Sequence, residues 1–289
     1  MLPTIAVLGA SGVYARHLIP RLTAHGYPVR ALARRPAAAT VAAACGADVR
    51  HADIFERESL TAALAGCDVA VNLATSLPGP SGRGDFALND RLRAEGTPIF
   101  VDACRDAGVP RVLQQSIALV NAAGGDAWGD EDTELPPDDS VAGRAVAAAR
   151  VMEGSVTGSG LDWVVLRGGL FYGPGTGLDD DWFERARSGR LRLPGDGHDH
   201  VSLVRIDDMA AATVLAVERW PSGRAIIVSD DAPARWRDVF GFVAASAGAD
   251  PPAPGGRIGF PSWRVRNARA AELLSWRPFH PTYRTGLIR

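Results

Sequence analysis

Gly9-Ala10-Ser11-Gly12-Val13-Tyr14-Ala15 closes a short apolar run, Thr4–Leu8, and opens a segment in which Ala15, Leu18, Ile19 and Leu22 recur at helical spacing. Glycines three apart between a strand and a helix let backbone N–H groups approach a pyrophosphate, and the helix N-terminus adds positive potential there. Gly9, Ser11, Gly12, Val13 and Tyr14 are therefore candidates for cradling a dinucleotide. Ala15 stands where a third glycine is needed only for close helix–strand packing. Arg34 and Arg35 follow the next apolar run, Val29–Ala33, at the point where an acidic residue would accept from a ribose 2′-OH. Guanidinium groups suit a 2′-phosphate instead, so the expected cofactor is NADP rather than NAD. Asp53 and Ile54, after a third short run, are further candidates for the cofactor site, Asp53 as acceptor for an adenine amine or else an ordinary loop or helix cap.

These residues need a scaffold that repeats strand and helix, and the chain supplies one. Gly26 is placed to end the first helix, Leu60–Leu64 is helical, and Asp68–Leu73 is a strand. Ile99, Phe100, Ala103 and Ala107 mark a helix closed by Gly108, Arg111–Ser116 a strand, about Val141–Val156 a long helix, and Trp163–Arg167 a sixth strand. Such alternation predicts an α/β fold, a Rossmann-type doubly wound parallel sheet. From Phe171 onward Gly, Pro and Asp dominate, which predicts loops over the carboxyl ends of the strands, where open α/β sheets bind ligands. The expected division is residues 1–170 as the cofactor-binding domain, with 201–228 returning to the sheet, and 171–200 plus 229–289 as a small C-terminal substrate lobe. The run Asp179-Asp180-Asp181 reads as a helix start favoured by the macrodipole.

Composition narrows the partners. Of 289 residues, 46% are hydrophobic and 22% charged, with a net charge of −2, which is ordinary globular usage and gives no concentrated basic face for nucleic acid or anionic membrane. No apolar run approaches a membrane span, so a cytoplasmic protein with a small-molecule substrate is expected; the oligomeric state is not legible. Cys45, Cys67 and Cys104 are widely spaced and read as buried thiols rather than a metal or disulfide framework. All 31 basic residues are arginine, so any mechanism that needs a lysine is excluded.

Further pieces follow in order: Asn72-Leu73-Ala74, Gln115-Ser116, Arg167-Gly168-Gly169-Leu170-Phe171-Tyr172-Gly173-Pro174-Gly175, Ile206-Asp207-Asp208-Met209-Ala210, and Asn267 to Pro278. In that order they resemble the extended and atypical short-chain dehydrogenase/reductases, a group that includes nucleotide-sugar epimerases and NmrA-like redox-sensing proteins. The resemblance implies that Leu73, Ala74 and Thr75 line the nicotinamide ribose, and that Gly168, Gly169 and Leu170 approach the nicotinamide amide through backbone groups. It also implies that Ser116 matches the catalytic serine. The family's Tyr-x-x-x-Lys is missing: aligning Met152-Glu153 with the family's downstream glutamate puts Ala145 and Ala149 where tyrosine and lysine should stand. Arg144 or Arg150 could hold the ribose as that lysine does, but arginine stays protonated and cannot act as the acid.

Without the tyrosine, oxidation of an unactivated alcohol loses its base, a group worth about 10²–10⁴-fold. Reduction of a quinone, enone or polyketide-like acceptor does not strictly need it, so an NADPH-dependent reductase of a conjugated small molecule, of the kind found in specialised metabolism, is expected. A cofactor-binding sensor without turnover and a non-redox isomerase or cyclase are the alternatives. Ser116 and Tyr172, at the carboxyl ends of the fifth and sixth strands, are the best remaining proton donors. His198-Asp199-His200 reads as part of a mobile lid rather than a metal site, and Trp128 and Trp182 as the tryptophans best placed to meet a flat substrate.

Overall fold

The computed structural model describes residues 2–77, 84–136 and 138–287. Seven strands form one sheet: β1 (Ile5–Leu8), β2 (Val29–Ala33), β3 (Asp48–His51), β4 (Val69–Asn72), β5 (Arg111–Ile117), β6 (Asp162–Gly168) and β7 (Arg224–Val228). Every pairing is parallel, in the spatial order β7-β6-β5-β4-β1-β2-β3. The order reverses between β1 and β4, which is the switch point where such sheets bind ligands. Parallel strands buried on both faces are expected to be continuously apolar; β1 and β4 are buried at every residue.

Helices α1 (Val13–Ala24) and α2 (Thr40–Ala44) cover one face, with α3 (Arg57–Leu64), α4 (Phe86–Arg91), α5 (Thr97–Asp106) and α6 (Val141–Thr157) on the other. α1 ends as its sequence predicts, with Gly26 at φ 82° and its N–H donated to Thr23. α6 begins where Ser140 accepts from the Gly143 N–H at 2.9 Å, a side-chain cap that satisfies one orphan donor.

Beyond β6 the chain adds α7 (Leu178–Arg187), α8 (Ile206–Arg219), α9 (Trp236–Ser246) and α10 (Ala268–Leu274). The three aspartates do fall in the first turn of α7. The expected return of 201–228 to the sheet is corrected: only Arg224–Val228 joins it. Leu203–Arg205 pairs instead with Leu170–Tyr172, and 206–219 is α8, packed on α1. The local apolar pattern was present, but a three-residue strand has no register signal to say which partner it takes. Cys67 and Cys104 are buried, whereas Cys45, at the end of α2, is only partly so.

A second apolar cluster lies over the strand ends, built on Trp182, Trp236 and Phe240 with ring centroids 5.0–6.0 Å apart. Trp182 is therefore a core residue and not a substrate contact. Trp128 is 39% exposed, its ring covered by the guanidinium of Arg264 at 4.3 Å. The stretch expected as a mobile lid is tied down: His200–Val201 pairs with Ala234–Arg235, and the His200 N–H is donated to Ser262. Among the described residues no helix is long and apolar enough to cross a membrane.

Candidate active site

Gly9 leaves β1 with φ 85°, and a Cβ there would stand 3.0 Å from the carbonyl carbon and oxygen of Leu73. The backbone after β4 thus passes directly over the glycine turn, bringing Gly9, Gly12, Leu73 and Ala74 together at the switch point. Gly12 caps α1 with no side chain, and no acidic residue occupies the first turn. The first-turn N–H groups have no intrahelical acceptor and face this corner, a donor set suited to a diphosphate. The loop after β6 closes the corner from the other side, with His17 Nε2 2.8 Å from the Pro174 carbonyl oxygen and Gly175 pressed on Val13.

Arg34 and Arg35 are exposed immediately beyond β2, and neither side chain has a hydrogen bond or ion pair among the described residues. Asp53 spends one oxygen on the Phe55 N–H at 3.0 Å, a local turn that leaves Oδ2. Thr75 is exposed, Ala74 and Ser11 half-buried and Leu73 buried.

Several expected site residues turn their side chains away from the corner. The Tyr14 N–H belongs to the first turn of α1, but its hydroxyl turns inward, 2.5 Å from Thr213 Oγ1 of α8, and burial pushes its phenol far above the usual range. Ile54 is 5% exposed and packs on Gly96. Gly168 and Gly169 are required by packing, the first against the Phe171 ring and the second against Ser202 and Leu203. The Gly169 and Leu170 N–H groups are already donated, to Val228 and Ser202. Those two amides are not free for a nicotinamide.

Tyr172 is corrected as a proton donor. It is fully buried, a Cβ on Gly286 would overlap its hydroxyl, and burial beside Asp230 holds its proton far more tightly than an ordinary phenol. Arg144 and Arg150 are also elsewhere: the first bonds the Asp139 carbonyl and the second the Leu135 carbonyl.

Ser116 is where the strand pattern puts it, at the carboxyl end of β5 and fully buried, with no partner for Oγ among the described residues. It shares a strand face with Gln114, which accepts from Asn72 Nδ2 at 2.9 Å and points Nε2 at Met152 Sδ of α6. Buried hydroxyls are normally paired, and the sheet itself does not satisfy this one. In register with Ser116 on the neighbouring strand β6, Arg167 grips Glu153 with two hydrogen bonds of 2.6 and 3.0 Å and reaches Asn121 at 3.1 Å. A cleft of about 500 Å³ opens beside this pair, but it is lined by Asn121, Glu131, Thr133 and Arg150 and by none of the glycine-turn residues. It is separate from the dinucleotide corner.

Sequence reasoning missed two charged groups. Asp208 accepts the Phe279 and His280 N–H groups and the His280 ring, while Arg205 links Asp207 to that ring, pinning the C-terminal segment to α8. Arg93, between α4 and α5, is 4% exposed and donates to the Ala145 carbonyl oxygen at 3.2 Å. Only the Asp207-Asp208 pair had appeared as a motif; nothing in local spacing marks Arg93.

Residues 9–180 match the family model described as NAD(P)H-binding. The 3-diazoavenalumate denitrifying reductase of a Streptomyces species is 36% identical, with 99% of both chains covered. The 4-hydroxy-2-methyl-3-oxo-4-farnesyl-3,4-dihydroquinoline-1-oxide ketoreductase of Stigmatella aurantiaca is 30% identical, with 98% of this chain and 84% of that one covered. In fold the chain is similar to UDP-glucose 4-epimerase of Thermus thermophilus, solved with NAD, with a TM-score of 0.78 at 21% identity over 98% of this chain and 97% of that one. With the glycine turn, the uncapped α1 and the 3-2-1-4-5-6-7 sheet already in place, these likenesses establish that the chain belongs to the NAD(P)H-binding family, on a fold shared with that epimerase, and is an oxidoreductase.

Proposed function

We propose that the chain is an NADPH-dependent reductase that delivers hydride to a conjugated, electron-poor small molecule without a protein proton donor. The observation that carries this reading is the pair Ala145 and Ala149 on α6: Ala149 is fully buried and Ala145 half-buried, and Tyr14 and Tyr172, the tyrosines at the same edge, both keep their hydroxyls in the core. NADPH, when bound, supplies the hydride from its nicotinamide ring. The residues Gly9, Gly12, Leu73 and Ala74 hold the dinucleotide, and Ser116 offers its free hydroxyl to the acceptor.

The acceptor class follows from proton accounting. A ketone reduced by hydride becomes an alkoxide and needs an acid, the role a family tyrosine would fill. A quinone or enone gives a delocalised anion that water can protonate. An arenediazonium needs no proton: hydride forms the new C–H bond, the C–N bond breaks, and N₂ leaves with its electrons. The relative at 36% identity is named for a diazo substrate and for denitrification, which favours this last acceptor among the conjugated ones.

The test is a panel of a quinone, an enone, a 3-oxo ester and a phenolic arenediazonium, with NADPH followed by absorbance and products by mass spectrometry. The expected result is one NADPH consumed per acceptor reduced, fastest with the diazonium, and deuterium from 4-deuterated NADPH on the product ring carbon. Tight NADPH binding with no consumption would make the chain a sensor. Product without consumption would make it an isomerase.

Cofactor choice rests on Arg34 and Arg35, which are exposed and free to meet a 2′-phosphate. NADPH is expected to bind about tenfold or more tightly than NADH, since charge-assisted hydrogen bonds to phosphate are the strong ones. Calorimetry on the wild type and on Arg34→Glu/Arg35→Glu measures the ratio. An unchanged ratio in the double variant removes these arginines from the site.

A further inference from the structure

Arg93 is a buried cation without a counter-ion among the described residues. Its side chain is almost wholly enclosed, no carboxylate oxygen lies within 4.0 Å among the described residues, and its one side-chain hydrogen bond goes to a neutral carbonyl. A guanidinium carries five N–H donors, and leaving most of them idle in the interior is unfavourable unless a ligand completes the set. Burial pulls Arg93 down to about 10, with Asp90 and Glu153 opposing that fall, so it stays charged at neutral pH.

Its position is set by one residue of α6. Arg93 donates to the Ala145 carbonyl oxygen, and a helical carbonyl points toward the residue four positions on. The guanidinium therefore stands on the side of Ala145 that faces Ala149, the place where the family carries its lysine. Neither alanine fills the volume that tyrosine and lysine would take. The segment bearing Arg93 is a π-helical turn, Leu92–Gly96, a departure from α geometry that often marks functional sites.

Other idle polar atoms lie on the same elements. Asn89 Nδ2 and Asp90 Oδ1 of α4, and Ser116 Oγ of β5, are all buried with no partner among the described residues. Asn89 Oδ1 meanwhile accepts from the Ser76 N–H at 3.0 Å, tying α4 to the loop that follows Leu73–Thr75. Elements from three directions thus bring unsatisfied donors and acceptors to the corner beside the loop after β4.

We infer that Arg93 replaces the family's lysine from a different helix, donating to the hydroxyls of the nicotinamide ribose and fixing a positive charge beside the ring. The inference rests on the cofactor reading above. It also implies that the oxidised, positively charged nicotinamide is disfavoured relative to the reduced one, which suits an enzyme that takes up NADPH and releases NADP⁺.

The test separates the nicotinamide end from the adenine end. Wild type, Arg93→Met and Arg93→Lys are titrated calorimetrically with NADPH, NADP⁺ and adenosine 2′,5′-bisphosphate. Arg93→Met is expected to lose about 10- to 100-fold in NADPH affinity, the range of a lost charged hydrogen bond. The bisphosphate should bind all three proteins equally, the NADPH/NADP⁺ ratio should narrow in Arg93→Met, and Arg93→Lys should recover most of the loss. Should Arg93→Met not fold, the wild-type protein still decides: the ¹⁵N-labelled Arg93 Nε–H resonance, assigned with Arg93→Lys, must shift with NADPH and not with the bisphosphate. Unchanged NADPH affinity, an equal loss for both ligands, or a stationary resonance overturns the inference. If wild type binds no NADPH at all, the cofactor reading falls with it.

Discussion

Gly9→Ala is expected to weaken NADPH binding about 100-fold or more while leaving the chain folded. Two costs coincide at this residue. Its φ of 85° is a region that residues with a side chain occupy only under strain, and the added methyl would sit 3.0 Å from the Leu73 carbonyl carbon and oxygen and 3.1 Å from the Ala74 nitrogen. Those atoms are backbone, so relief must come from moving the loop after β4 or the turn itself, and either displaces the donors that hold a diphosphate. A shift that removes about 2.7 kcal/mol of binding corresponds to about 100-fold in Kd. Gly26 supplies the control, because its φ of 82° is nearly the same but its Cβ would meet only the Leu2 side chain, at 3.5 Å. Gly26→Ala should cost about 1 kcal/mol of stability and leave the NADPH Kd unchanged. Equal losses of affinity in the two variants, or none in Gly9→Ala, would remove the glycine turn from the cofactor site.

The contrast between these two glycines shows what sequence could and could not disclose. Both were legible as turns, because a glycine at the end of a strand or a helix has a local cause. That only Gly9 lies beneath another backbone depends on Leu73, 64 residues away, and on the sheet order that makes β4 the neighbour of β1. The same distinction separates β2, whose bounds Val29–Ala33 follow from its own apolar pattern, from Leu203–Arg205, whose partner is chosen by three-dimensional packing. At the site, Ser116 was legible through the family resemblance and its place at the carboxyl end of an apolar strand. Tyr14 and Tyr172 were not, since a residue at the right edge of the sheet can still turn its hydroxyl into the core. Arg93 was invisible for a further reason: its partner is a backbone carbonyl on α6, and a carbonyl leaves no trace in residue identity. The absent tyrosine and lysine, by contrast, could be read directly, and they remain the strongest constraint on the chemistry.

Asp230→Asn is expected to stabilise the protein at pH 8 and to change it little at pH 4. Asp230 is 2% exposed; Oδ1 accepts the Ala232 N–H at 3.2 Å, and Oδ2 has no partner among the described residues. Burial, with Asp231 and Asp208 close by, pushes its carboxyl up to about 8 from 3.8. Between those values the folded chain keeps a proton that the unfolded chain has lost, so stability falls as pH rises through the window and levels off above it. The displacement corresponds to roughly 5 kcal/mol across the whole window, an upper figure because local relaxation admits water. Asparagine keeps the shape and stays neutral, so the variant should show none of this particular slope. Urea midpoints of both proteins at pH 5 and pH 8 isolate it, because every other titrating group is common to the two and cancels in the difference. A gap between variant and wild type that is the same at both pH values would mean that Asp230 is ionised in the folded chain. A gap that widens toward pH 8 would show that the polar seam joining Tyr172, Asp208 and the C-terminal segment is held by a proton, and is loosened once that proton leaves.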